Sequence, residues 1–159
     1  MKILALDQSS RVSGYAIFDN GNLIDSGKFT VDDTNMGIRL FKIKRTVEKL
    51  IDDNNIELVA FEDIQLQDNK GPNNVVTYKK LAEVFGVLEE LCTEKKIPYK
   101  IIHSQTWKSE LNIKGYERTQ QKKSAQEYIF NTYGKKVSQD ESDAICIGIC
   151  ASREEESAF

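Results

Sequence analysis

Asp7, Glu62, Asp140 and Asp143 are the residues of this chain whose types and settings could do chemistry. Asp7 closes the apolar run that starts at Ile3, and Glu62 closes a second short run that ends at Phe61. Asp140 and Asp143 stand three apart, just ahead of the apolar stretch 144–151. A single acid at a strand end is most often a turn cap. An ionised carboxylate beside a core strand is otherwise costly unless a cation or donors meet it. Four of them brought together would raise one another's pKa. Hard divalent cations, Mg²⁺ with Mn²⁺ as a substitute, resolve that repulsion and suit an all-oxygen ligand set. A pair of such ions can activate water and stabilise the leaving oxygen in phosphodiester hydrolysis.

The elements that must position these acids follow from the patterning. Residues 3–6 are uniformly apolar, as in a strand buried on both faces, and alternation puts Ile3, Ala5 and Asp7 on one side. Runs 12–18 and 23–31 flank Asn20-Gly21, the strongest short hairpin signal, so the first three strands form an antiparallel meander. Residues 37–52 have near-helical spacing of apolar positions, and 56–61 form the next strand. Gln65 to Asn74 is a polar loop. Helices are expected over 75–92, 104–111 and 118–133, with a short strand at 98–102 and a last helix from Ser138. Ser138-x-x-Glu141 has the form of a capping box, which gives Glu141 a structural task. Asp140 and Asp143 share a helix face with Ile147 and Cys150 and should point inward at the sheet edge. The element order predicts an α/β fold, a mixed five-stranded sheet of antiparallel meander plus parallel strands flanked by helices. The first and fourth strands would lie parallel, bringing Asp7 and Glu62 to the sheet end where ligands bind.

Length and composition bound the class. The chain has 159 residues, is 40% hydrophobic and 30% charged, and fits a single domain spanning 1–159. No apolar run approaches transmembrane length, and no membrane partner is expected. Cys92, Cys146 and Cys150 lack metal-type spacing and suit small buried hydrophobes in a reducing, cytoplasmic setting. His103 is the sole histidine, which argues against a zinc or His-based triad site. The formal charge of −3 is unevenly spread. Residues 1–69 hold 8 basic and 12 acidic side chains, 70–136 hold 13 and 7, and 137–159 hold 1 and 6. A basic middle between acidic ends fits a phosphate-facing surface around an acidic metal centre.

These residues also carry a resemblance. Ile3-Leu-Ala-Leu-Asp7 through Ser13-Gly14-Tyr15, Ala60-Phe61-Glu62-Asp63, and Asp140-Glu-Ser-Asp143-Ala144 resemble, in order and spacing, the three acidic motifs of the RuvC family of Holliday junction resolvases. That family lies within the ribonuclease H-like superfamily, and the short chain suggests a bacteriophage-type member acting in a bacterial host cytoplasm. The resemblance implies a Mg²⁺-dependent endonuclease that resolves four-way DNA as a homodimer, with Asp7, Glu62, Asp140 and Asp143 as the catalytic, metal-binding set. Lys108 and Lys123 resemble the family's DNA-contacting lysines, the second with a one-residue ambiguity against Lys122. Lys114 and Arg118 flank the Gly115 loop as further phosphate contacts. The family's usual Pro-Gly after the first aspartate is Gln8-Ser9 here, and Gln65 replaces the aromatic wedge of many bacterial members.

A dimer also has a physical argument. Four-way DNA has two symmetric strands to cut, so one site per chain calls for a two-fold pair. Helix 75–92 is the expected interface: Val76, Val84, Leu88 and Leu91 suit the sheet side, Leu81 and Phe85 lean elsewhere, and Gly86 admits close backbone approach. Rival readings are an actin-like or sugar-kinase ATPase, a RuvC-like nuclease of RNA processing, and a catalytically inert DNA-binding module of the same fold. The first needs a second domain and an adenosine loop that this sequence lacks.

Overall fold

The structure is a computed structural model describing residues 1–66 and 72–158, with the side chains of 72 and 73 excepted. Among the described residues, five strands and five helices follow in the order β1 (Lys2–Asp7), β2 (Val12–Asp19), β3 (Asn22–Thr30), α1 (Met36–Asn54), β4 (Leu58–Glu62), α2 (Pro72–Lys95), β5 (Tyr99–Ile102), α3 (Ser104–Glu110), α4 (Arg118–Tyr133) and α5 (Gln139–Ser157). The sheet order is β3-β2-β1-β4-β5. The meander is antiparallel, whereas β1 with β4 and β4 with β5 run parallel, as the patterning predicts. The β2–β3 hairpin turns on Asn20 and Gly21, both at positive φ, as a twist-matched two-residue turn requires. The loop expected from Gln65 to Asn74 is described only at its ends, since 67–71 lie outside the described residues and α2 starts at Pro72.

Side-chain alternation sorts the core into two layers. Ile3 and Ala5 of β1 and Leu58 and Ala60 of β4 pack on one face with α5 and the buried residues of α3 and α4. Leu4, Leu6, Val59 and Phe61 pack on the other with α1 and α2. Asp7 and Glu62 continue the first series by two residues each, so both carboxylates emerge on the α5 side. Parity alone thus aims the two strand acids at the helix that carries the other two.

Helix α5 is buried from Ala144 to Ser152 and lies against β1 and β2. Two glycines permit that approach. A Cβ on Gly148 would enter the Phe18 ring, and one on Gly14 would enter the Asp140 carbonyl. Gly14 stands opposite Asp7 in the β1–β2 register, so this contact docks the start of α5 beside the first acid.

Two packing expectations need correction. Ser138 caps α5 by accepting from the Glu141 N–H at 3.3 Å, but the reciprocal half of the capping box is not made. The Glu141 carboxylate instead accepts from Ser26 Oγ at 2.7 Å and pairs with Lys135 at 3.1 Å, where a cation and a hydroxyl meet it better than one backbone N–H. On α2, Val76 is exposed at 53% rather than packed on the sheet. Phe85, expected to lean away from the sheet, meets Phe61 edge to face at 5.1 Å and belongs to the α1–α2 core layer. The sheet-facing stripe is therefore Val84, Leu88, Leu91 and Cys92 with Phe85 at its margin. Among the described residues no helix is long and apolar enough to cross a membrane. All three cysteines are free and buried, and burial first pushes the Cys92 thiol up to about 11 and that of Cys150 to about 12.

Candidate active site

Asp7, Glu62, Asp140 and Asp143 line one cleft of about 900 Å³ at the carboxyl ends of β1 and β4. Gln8, Trp107, Lys108, Tyr116, Arg118 and Lys122 share its walls. The acids sense one another. Asp7 is raised well above the ordinary aspartate range by burial first, then by the charges of Asp143, Glu62 and Asp140, with Lys122 opposing. Asp143 is raised to about 6, chiefly by burial and then by Glu62, while Lys122 and Lys108 pull it down and Asp140 adds to the rise. Glu62 is also raised, by burial first. The Trp107 N–H, Lys108 and Arg118 counter that rise, and Asp63 adds a little to it.

Glu62 is held more firmly than a strand end requires. The Gln8 side-chain amide donates to the Glu62 carbonyl at 2.6 Å and accepts from the Glu62 N–H at 3.1 Å. The parallel ladder has run from Ile3–Leu58 to Leu6–Phe61, and Gln8, only 8% exposed, carries on the bonding to β4 where the β1 backbone turns away. From the other side, Trp107 Nε1 donates to Glu62 Oε1 at 3.0 Å. Trp107 is the packing residue that its apolar bulk suggests, but its N–H also orients a site carboxylate. Both contacts escape the sequence reading. The available signal for the tryptophan was that β5 is parallel to β4, so the first turn of α3 after it reaches over the Glu62 end.

The cations separate clearly. Lys108, Arg118 and Lys122 line the cleft, whereas Lys114 and Lys123 do not. Lys122 Nζ donates to Gln139 Oε1 at 3.0 Å, and its charge is felt at Asp7 and Asp143. Lys123 lies instead beside Gln126, Glu127 and Phe130 on the outer side of α4. Lys122 precedes the buried Ala125 and Ile129 by three and seven residues and shares their face. His103, outside the acid set, places Nδ1 3.0 Å from Asp63 Oδ2.

The donor set fits a hard cation. The four side chains offer only carboxylate oxygens; Asp7, Glu62 and Asp143 are held against burial, and Asp7 and Asp143 also against the charges of the other acids, which a positive ion would relieve. The tightest grouping of ligand-type atoms among the described residues lies elsewhere, at Glu110, Cys150 and Glu154 within 4.8 Å. A thiol raised to about 12 stays protonated near neutrality, which makes that group the poorer ligand set despite its compactness.

A mixed sheet in this order, with acids closing its first and fourth strands and opening its last helix, is the ribonuclease H-like arrangement. Within it the chain belongs to the RuvC family: residues 3–151 match the family of crossover junction endodeoxyribonuclease RuvC. No curated protein sequence matches the chain. Among solved structures, Thermus thermophilus RuvC in complex with a Holliday junction substrate is similar with a TM-score of 0.76 at 14% identity, over 98% of this chain and 96% of that one. Fowlpox virus resolvase bound to Holliday junction DNA gives 0.59 at 19% identity, over 98% and 99%. The yeast mitochondrial Holliday junction resolvase Ydc2 gives 0.60 at 14%, over 99% and 80%.

Proposed function

We propose that this chain is a junction-resolving endodeoxyribonuclease that hydrolyses phosphodiesters of four-way DNA at the acidic cleft. The observation that carries the reading is the facing of four acids by Lys108, Arg118 and Lys122 in one open cleft of a RuvC-family fold. Asp7, Glu62, Asp140 and Asp143 would hold divalent ions, Mg²⁺ with Mn²⁺ as a substitute. Such ions, when bound, supply an activated water and stabilise the departing oxygen. Gln8 and Trp107 keep Glu62 from swinging away when substrate arrives, and burial of Asp7 against β1 and α5 excludes bulk water behind it. Lys108, Arg118 and Lys122 bind phosphates and orient the strand across the acids. Lys114 and Lys123, outside the cleft, serve at most as outer phosphate contacts. The three free, buried cysteines suit a reducing cytoplasm.

Paired incision calls for a second copy related by a two-fold axis. The outward side of α2 offers Val75, Val76 and the open backbone at Gly86, where, among the described residues and outside the helix's own backbone, no atom lies within 4 Å of an added Cβ. We place the dimer contact on that side rather than at Phe85.

The deciding experiment incubates the protein with labelled four-way, three-way and linear DNA, with and without Mg²⁺. Symmetric, metal-dependent cuts in the four-way substrate, lost in Asp7→Asn and Asp143→Asn proteins that still bind, are the expected result. Full cleavage by Asp7→Asn would remove the acids from the chemistry.

A further inference from the structure

We infer that Tyr116 is a nucleobase-stacking site at the mouth of the cleft, an inference that rests on the cleft's reading as a junction-DNA site. Tyr116 is fully exposed, and no hydrogen bond or ring contact holds its side chain among the described residues. Its backbone is fixed all the same. Tyr116 N donates to Gln120 Oε1 at 3.1 Å, Gln121 Nε2 donates to the Gly115 carbonyl at 3.1 Å, and Lys114 N donates to Ser124 Oγ at 3.1 Å. Gly115, at φ +135°, lets the loop sit this close to α4, because a Cβ there would press on Gln120. The result is a loop tied to a helix at three successive residues that presents one free aromatic ring.

The ring's neighbours say what it meets. Tyr116 shares the cleft wall with Arg118 and Lys122, whose charges suit phosphates, and of the other aromatic residues lining the cleft Trp107 is buried and Tyr78 half-buried. A base in intact duplex is covered by its neighbours. A base at a branch point can expose a face, and an aromatic ring beside a phosphate-binding guanidinium is the usual platform for such a face. The fixed backbone and two side-chain torsions of tyrosine keep the ordering cost of that contact low.

The test uses the full-length protein in EDTA, so that binding is read without cleavage, and a four-way junction carrying 2-aminopurine at the branch point. Tyr116→Ala should weaken junction binding about 5- to 150-fold, the range that one base–aromatic contact supports. Its complex should fluoresce more brightly than the wild-type complex, since the base has lost its stacking partner. Tyr116→Phe and Tyr116→Trp should restore both signals, and affinity for a linear duplex should not change in any Tyr116 variant. The salt dependence should stay the same in Tyr116→Ala, whereas Arg118→Ala should reduce its slope by about one unit. Equal junction affinity and brightness in Tyr116→Ala would overturn the inference while leaving the nuclease reading in place. So would failure of phenylalanine to rescue, which would make the hydroxyl the contact. Absence of junction binding by the wild-type protein would instead overturn the nuclease reading, and this inference with it.

Discussion

Replacing Asp143 by asparagine should make the metal-free protein more stable and catalytically dead. The Asp143 carboxyl lies near 6 in the folded chain against an ordinary value of 3.8, raised first by burial and then by Glu62. Between those two values the folded state holds more protons than the unfolded state, so stability falls as pH rises from about 4 to about 6 and levels off above. Two units correspond to about 3 kcal/mol of destabilisation by the ionised group at pH 7.5. Asparagine escapes ionisation but must still be desolvated, so only part of that, on the order of 1 kcal/mol, should be recovered. For a chain of this size that is a rise of about 2–6 °C in Tm. The assay is thermal unfolding by circular dichroism in EDTA at pH 4, 6 and 7.5. The gain should be present at pH 7.5 and absent at pH 4, where wild-type Asp143 is itself mostly protonated. Added Mg²⁺ should raise the wild-type Tm more than that of Asp143→Asn. A variant equally destabilised at every pH would mean that the carboxylate is held by favourable contacts, and the reasoning would fail.

Other substitutions separate the parts of the site. Gln8→Leu removes both bonds to the Glu62 backbone and should lower the cleavage rate at least 10-fold with junction affinity within about 2-fold, measured by single-turnover kinetics and titration. Gly14→Ala forces the first turn of α5 off β2, since backbone and not a pliable side chain stands in the way. It should cost about 1–3 kcal/mol in denaturant unfolding, and an unchanged midpoint would show that the helix start has slack. Lys122→Ala should flatten the salt dependence of junction binding by about one unit and Lys123→Ala by less, in fluorescence anisotropy; equal losses would put both on the DNA path. Gly86→Arg should shift sedimentation toward monomer and suppress paired incision more than nicking, without altering Tm by more than about 1 °C, because the position is open.

The convergence of the acids was legible because it depends on periodicity. Period-two alternation in β1 and β4, added to a parallel pairing, puts Asp7 and Glu62 on one face at one end before any side chain is placed. The three-residue interval between Asp140 and Asp143 works the same way on α5. Where periodicity is weak, the reading slipped. Helix α4 is polar nearly all round and buries only Ala125 and Ile129, so its phase rested on two residues and left both Lys122 and Lys123 open as DNA contacts. Helix α2 is apolar on more than one side, and Val76 and Phe85 exchanged their expected roles for that reason. The Gln8 clamp and the Trp107 bond were not legible at all. They are single side-chain contacts between residues 54 and 45 positions apart, and no pattern announces such a meeting.

Helix α5, buried over most of its length, follows the other nine described elements in the sequence. β1 and β2 leave the ribosome well over a hundred residues before α5, with Phe18 and Ala5 facing a groove that only Gly148 and its neighbours can fill. Until then the nascent chain holds Asp7 and Glu62 without Asp140 and Asp143. An interrupted product would be adhesive along that groove and unable to assemble the acid cluster. The acid cluster and the core contact of Gly148 against Phe18 and Ala5 therefore close together, because both wait on the same helix.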